Sequence, residues 1–441
     1  MIQTFVNAWK VPDLRKKLLF TLMIILLYRI GANLFIPYVS VDQIDYLSTY
    51  FNNGIFGMLS MMSGGAFSQA TFFALSVSPY ITASIVIQLL SIAIPALERM
   101  SKDEDGKKKL SAATRWVTVA LSIVTAYGYV NLLDMNGALT VAKGDKYYVF
   151  AWFVMIACLC AGASLIMWLA EKINEHGIGN GISMILFANI ISGMTGTVEN
   201  TIGMLQDKYS EWKTGWDLVL GIAGVILSIA LTLAAIVLIV WFTNSERRIK
   251  VIYAKKVVGR KTYGGQKTNL PLKMNMAGVM PVIFASSIVS IPATIAAFLP
   301  GTGFATFVEA WLGATSPVYI IIFIALIVAF SYFYIAISFN PVEVANNIRS
   351  NGGAITGIRP QEMAPFIKKI LNRVTLMGAI FLVVIAGAPL IANAIVSVIG
   401  VEFDSLAFTG TSLLIAVGVA LETVRDLEAQ LSMRNYKGFL D

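Results

Sequence analysis

The chain is poor in the residues that most often carry chemistry. It has 1 His and 2 Cys in 441 residues. The lone His176 excludes an HExxH metal site, and no GxSxG offers a serine nucleophile. Cys158 and Cys160 stand two apart in an apolar helix, so they face different directions, match no metal or redox spacing, and read as buried, inert thiols. EKINEHGIGNG (171–181) is glycine-rich, but it follows an apolar run and lacks the Lys-Ser/Thr pair of a phosphate loop. It reads as a flexible turn that exposes His176. Charge is scarce too: 13% of residues are charged and 57% hydrophobic, the balance of a chain that crosses a membrane many times. No enzyme chemistry, metal or cofactor is expected.

What is abundant is long apolar runs. Ten are long enough to span, at about 18–37, 72–95, 114–134, 147–170, 181–204, 217–243, 274–299, 318–338, 372–392 and 408–426. The first contains Arg29 and is followed by no small-residue cleavage site, so it reads as a retained span. With the N-terminus inside, 28 of the 33 Lys and Arg residues fall in cytoplasmic segments, and only Lys143, Lys146, Lys208 and Lys213 lie outside. That bias puts both termini in the cytoplasm. The net charge of +8 therefore follows membrane topology, and no specific nucleic-acid sequence is expected as a partner.

The spans divide at the exterior loop 206–216 into an N-terminal half (1–205) and a C-terminal half (217–441). Five is odd, so the halves enter from opposite sides, as in inverted-repeat membrane folds. The fold class expected is all-α and polytopic: ten transmembrane helices in two inverted five-helix halves, plus one re-entrant half-helix. That half-helix is IFGMLSMMSGGA (55–66), whose 12 residues cover only ~18 Å of a ~30 Å hydrocarbon layer. Broken backbone at membrane depth persists only inside protein or a water-filled cavity, so the other spans are expected to surround it. Pro79, Pro281 and Pro292 are expected to bend their spans. KDEDGKKK (102–109) reads as a solvated turn. The loop 244–273 is nine times basic, and IKVIYAKKVV with KTYGG predicts a hairpin. With the loop 339–373 it is expected to form a cytoplasmic platform. Within the spans, Arg29 aside, ionisable groups sit only at ends, as Asp134, Glu171 and Glu422 do. An ion-coupled pump needs such groups at the midplane, so that class is disfavoured. Hydroxyls and small residues (Ser76, Ser78, Ser84, Gln88, Ser286, Ser287) suit helices that pack closely yet part.

Seven stretches in order resemble the SecY family, the central channel subunit of bacterial protein translocation. They are RIGANLFIP, MMSGGAFSQATFFALSVSPYITASIVIQLL, WLAEKINEHGIGNGISMILF, ERRIKVIYAKK, TNLPLKMNMAGVMPVIFASSI, YFYIAISFNPVEVANNIRSNGGAITGIRP and FTGTSLLIAVGVALE. The resemblance implies a passive channel in the bacterial plasma membrane that moves unfolded secretory polypeptides across and releases hydrophobic segments into lipid. It implies a pore ring of Val77, Ile81, Ile182, Leu186, Ile283 and Ile415, apolar side chains that would expel water and limit ion leak. The plug would be Ile55, Phe56, Gly57, Met58, Leu59, Ser60, Met61, Met62, Ser63, Gly64, Gly65, Ala66, Phe67 and Ser68. A lateral gate would open between spans 2 and 7, along Ser84, Ile87 and Gln88 on one side and Ser286 and Ser287 on the other. Implied partners are SecE, SecG, the SecA motor ATPase, the ribosome, signal peptides and nascent chains, and membrane lipid. SecA and the ribosome would meet Arg247, Arg248, Lys255, Lys256, Arg260, Lys261 and Arg359. An inverted-repeat secondary transporter for a small solute is the alternative.

Overall fold

The computed structural model describes residues 2–40, 60, 63–141, 143–193, 230, 232–253, 255–258, 261–264, 267–299, 301–313, 316–399 and 410–437. Helices α1 (Ile2–Lys10), α2 (Pro12–Gly31), α3 (Ser78–Ala93), α4 (Pro95–Lys102), α5 (Glu104–Met135) and α6 (Tyr148–His176) come first. Then come α7 (Gly181–Gly193) and α8 (Thr232–Thr243). Strands β1 (Glu246–Tyr253), β2 (Lys255–Val258), β3 (Lys261–Gly264) and β4 (Lys267–Lys273) follow. Helices α9 (Met280–Phe298), α10 (Gly303–Leu312), α11 (Pro317–Ser338) and α12 (Pro341–Ser350) lead to β5 (Gly353–Ile355). The chain continues through α13 (Met363–Ile399) and α14 (Gly410–Lys437).

Among the described residues four helices are long and apolar enough to cross a membrane, and the pair α3–α4 makes a fifth if counted as one span. That pair is bent by 111°. Pro95 opens α4, and Ile94 before it is extended at ψ 113, as a residue preceding proline prefers. Proline also opens α2, α3, α9, α11 and α12, where its missing N–H would have had no partner in any case. Pro79 and Pro281 therefore start their helices instead of bending them, a correction to the sequence reading. Pro292 alone of the three lies inside a helix.

Other boundaries shift as well. The expected turn at 102–109 is mostly helix: Asp103 is extended, and Glu104 and Asp105 fill the first turn of α5, where the helix dipole favours acid. Residues 171–176 extend α6, so only 177–180 form the turn, closed by Gly181 N–H donating to Asn174 Oδ1 at 2.7 Å. His176 is exposed, as expected, at the helix end. Cys158 and Cys160 are unpaired but half-buried. The half-helix at 55–66 lies outside the described residues except for Ser60 and 63–66.

The loop 244–273 is the hairpin expected. β1 pairs antiparallel with β4 from Glu246↔Lys273 to Ile252↔Lys267, and β2 pairs with β3. β5, from the loop 339–373, adds to the other edge of β1, giving the order β4-β1-β5. Alternation turns Ile249 and Val251 inward onto Ile348, Met363 and Ile367 while Arg248 and Lys250 face out. Two loops nearly a hundred residues apart thus share one sheet and one core. In the helical body the largest hydrophobic cluster draws on α2, α3, α6, α7, α8, α9, α11, α13 and α14. Leu22, Ile30, Val124, Phe153, Val237 and Trp241 are each more than half exposed, the large apolar surface of a chain that faces lipid.

Candidate functional site

The segment before α3 is irregular backbone held by many tertiary contacts. Gly64 and Gly65 are left-handed at φ +65 and +87, and Ala70 and Ser76 join them at φ 49 and 51. Tertiary contacts hold this conformation. Ser63 Oγ accepts from Phe67 N–H at 2.9 Å, and Ser60 and Ser68 hydroxyls bond at 3.1 Å. Tyr129 of α5 donates to the Phe67 carbonyl at 2.5 Å and packs its ring 4.8 Å from that of Phe67. Phe72 N–H donates to the Leu34 carbonyl at 2.7 Å, and Ile36 N–H to Ala70 at 3.1 Å. Asn189 of α7 donates to Ser76 Oγ at 3.3 Å. Protein groups replace the hydrogen bonds the broken helix gives up, as membrane depth requires.

Arg29, the one cation within an apolar span, lies beside this segment. Its Nη2 donates to Ser192 Oγ of α7. Its Nη1 is buried with no hydrogen-bond partner among the described residues. A side chain at Gly64 would come within 3.0 Å of that nitrogen and of the Asn189 backbone. Nothing in sequence alone pairs residue 29 with residues 64 and 192. The charge in an apolar run was the one available signal.

The six aliphatic residues expected to form a ring come from α3, its N-cap, α7, α9 and α14, and all six belong to or border the extended hydrophobic cluster of the helical body. Val77, Ile81, Leu186, Ile283 and Ile415 are buried in the largest cluster, and the half-buried Ile182 packs against it. Helices α3 and α9 are in contact. On α3, Ser84, Ile87 and Gln88 are half-buried, and Gln88 Nε2 donates to Ser84 Oγ at 3.1 Å. Ser286 and Ser287 are buried on α9 and bond back to the Ile283 carbonyl at 2.9 and 2.8 Å. Each of these hydroxyls and the Gln88 amide thus finds a partner within its own helix.

On the sheet, Arg247 and Arg248 are exposed on β1, with Arg248 3.7 Å from Glu246. Lys255, Lys256 and Lys261 lie on β2 and β3, and Arg260 falls outside the described residues. Arg359 is exposed at a turn whose carbonyl accepts from Glu362 N–H at 2.9 Å. A cavity of about 210 Å³ opens nearby, lined by Thr243, Lys273, Asn275, Phe381, Glu422, Arg425 and Asp426 among others. Arg425 donates to the Thr243 carbonyl at 2.6 Å and to Asn244 Oδ1 at 2.8 Å. Burial, and then the Arg425 charge, push the Lys273 ammonium below its ordinary pKa.

Comparison with known proteins gives this arrangement its class. The fold matches a SecY structure whose plug domain is described as stabilising the closed state of the translocation channel. The TM-score is 0.64 at 18% identity, over 94% of this chain and 92% of that one. It also matches Sec61 in the canine ribosome-channel complex, at a TM-score of 0.57 and 16% identity over 94% and 92%. The fold is thus that of the protein-conducting membrane channels. The SecY family model matches residues 71–424, and the chain is 44% identical over the full length of both to the protein translocase subunit SecY of Streptomyces coelicolor. The chain belongs to the SecY family, and it is a membrane-embedded protein-translocation channel subunit.

Proposed function

We propose that this chain forms the pore through which unfolded secretory polypeptides cross the bacterial plasma membrane and from which hydrophobic segments leave sideways into lipid. The observation that supports this reading is that Val77, Ile81, Ile182, Leu186, Ile283 and Ile415, from four helical segments, all belong to or pack against one hydrophobic cluster, which also takes in Ala66 and Phe73 of the irregular segment before α3. An apolar constriction excludes water and ions at rest and deforms around any extended chain. Residues 55–68 act as the plug beneath it, and the α3–α9 contact, with Ser84, Ile87, Gln88, Ser286 and Ser287, is the lateral gate. Ten spans in two inverted halves, both termini cytoplasmic, build the hourglass.

The chain carries no nucleotide-binding motif, so the driving energy comes from a partner. SecA or a translating ribosome engages the β1–β4 hairpin and Arg359, while SecE and SecG complete the complex. Ribosome engagement draws support from the likeness to the ribosome-bound Sec61 channel. Reconstitution into vesicles with SecA, ATP and a secretory precursor tests the reading directly: protease-protected precursor is the expected result. Uptake of a small solute without precursor import would replace it with a secondary transporter.

A further inference from the structure

Helix α1 has three distinct faces. Positions 4, 8 and 11 seat it on α14: Thr4 Oγ1 donates to Glu428 Oε1 at 3.0 Å, and Ala8 is fully buried. Ala8 and Leu14 share a small core with Ile178 and Leu427, against which Val11 packs. Lys17 Nζ repeats the link, donating to Gln430 Oε1 at 3.1 Å. Gln3, Asn7 and Lys10 form a second, polar face. The third face is Phe5, Val6 and Trp9, exposed by 42%, 51% and 52%. At 100° per residue these three fall on the side of the helix away from α14.

Lys10, Arg15 and Lys16 follow at once, all exposed, and Asp13 is the only acid in the first 17 residues. The stripe also runs on into the exposed Leu19, Leu22, Met23 and Leu26 of α2, a span whose outer side faces lipid. An aromatic face beside a basic run is the pattern of a helix lying in the membrane interface, with anionic headgroups against its charges.

We propose that α1 is a lipid-binding clasp. Phe5, Val6 and Trp9 enter the cytoplasmic leaflet, Lys10, Arg15 and Lys16 bind anionic phospholipid headgroups, and the Thr4–Ala8 face holds α14. Because α1 leads into the first span and α14 is the last, the clasp ties the two halves together where they meet cytoplasmic lipid. The proposal rests on the cytoplasmic placement of the N-terminus.

The test uses the full-length channel, with its copurifying subunits, carrying an environment-sensitive fluorophore on Val6→Cys. It is compared in vesicles of phosphatidylcholine alone and with phosphatidylglycerol added. With phosphatidylglycerol the probe becomes shielded from aqueous iodide and open to a lipid-borne quencher, while a probe on Asn7→Cys stays aqueous. Replacing Lys10, Arg15 and Lys16 by Gln lowers the preference for anionic vesicles on the order of fivefold per charge. Equal quenching of the Val6 probe in both lipids overturns the proposal. So does shielding that persists in detergent, which would mean that a protein subunit covers the face. Labelling of Asn7→Cys only from the exterior side overturns it through the topology, without touching the translocation assay.

Discussion

At the residue scale, Gly64 and Gly65 of the proposed plug separate backbone strain from collision. Both are left-handed, so a side chain at either costs about 1 kcal/mol. Around Gly65 no described residue lies within 4 Å of the new carbon, whereas at Gly64 it would press on Arg29 and on the Asn189 backbone. Gly64→Ala is therefore expected to unseat the plug root well beyond the effect of Gly65→Ala. The check is the rate at which an impermeant exterior thiol reagent labels Ser60→Cys in the resting channel: faster in Gly64→Ala, and only slightly changed in Gly65→Ala. Equal rates would mean the plug is not held against Arg29. At the proposed constriction, replacing Ile81, Ile283 and Ile415 together by Ser would hydrate the ring, so ion conductance in a planar bilayer should rise and defective signal sequences should pass. Unchanged conductance would count against the ring.

At the scale of elements, the sheet β4-β1-β5 stands or falls with β1. Val251 is buried against β5 and the start of α13, while its neighbour Ile252 is 37% exposed on the other face. Val251→Asp places a carboxylate in that core at a cost on the order of 3 kcal/mol or more, and Ile252→Asp does not. Limited trypsin digestion from the cytoplasmic side should cut Val251→Asp quickly around Lys255 and Lys256 and leave Ile252→Asp like the parent. Gly162 makes the same kind of argument inside the membrane. A side chain there would run into the Phe72 carbonyl, so Gly162→Val should drive α6 away from the segment that enters α3. A lowered melting temperature of the purified channel is the expected readout.

At the scale of the whole molecule, the proposed gate and the proposed motor contact use different elements and should fail separately. A disulfide between cysteines placed at Ile87 and Ser287 would fix α3 to α9. Insertion of signal sequences into lipid should stop and recover on reduction. Arg359 is exposed at a turn more than ten residues beyond the end of α11, where its charge adds little to the orientation expected from 27 others. Its planar fork of donors suits carboxylates or phosphates. Arg359→Glu should leave abundance and membrane insertion intact while abolishing SecA-driven translocation, and Arg359→Lys should be partly defective. Normal translocation by Arg359→Glu would remove this turn from the motor's contact surface.

Much of this was legible in local pattern. Hydropathy over about 20 residues marks the long apolar helices α5, α6, α11 and α13, and β-prone alternation in 246–273 announces the hairpin, because each of these depends only on neighbours in sequence. Local pattern misplaced what is set at element ends. It read Pro79 and Pro281 as kinks when both open helices, and residues 102–109 and 171–176 as turns when a favourable helix dipole and continued packing extend α5 and α6 through them. The tertiary structure alone decided that β5 completes the sheet begun by β1, and that Arg29, Gly64 and Ser192 meet. It also decided that six aliphatic residues from four spans share one cluster. Hydrogen-bond pairing and close packing between segments a hundred residues apart leave no periodicity in the chain to read.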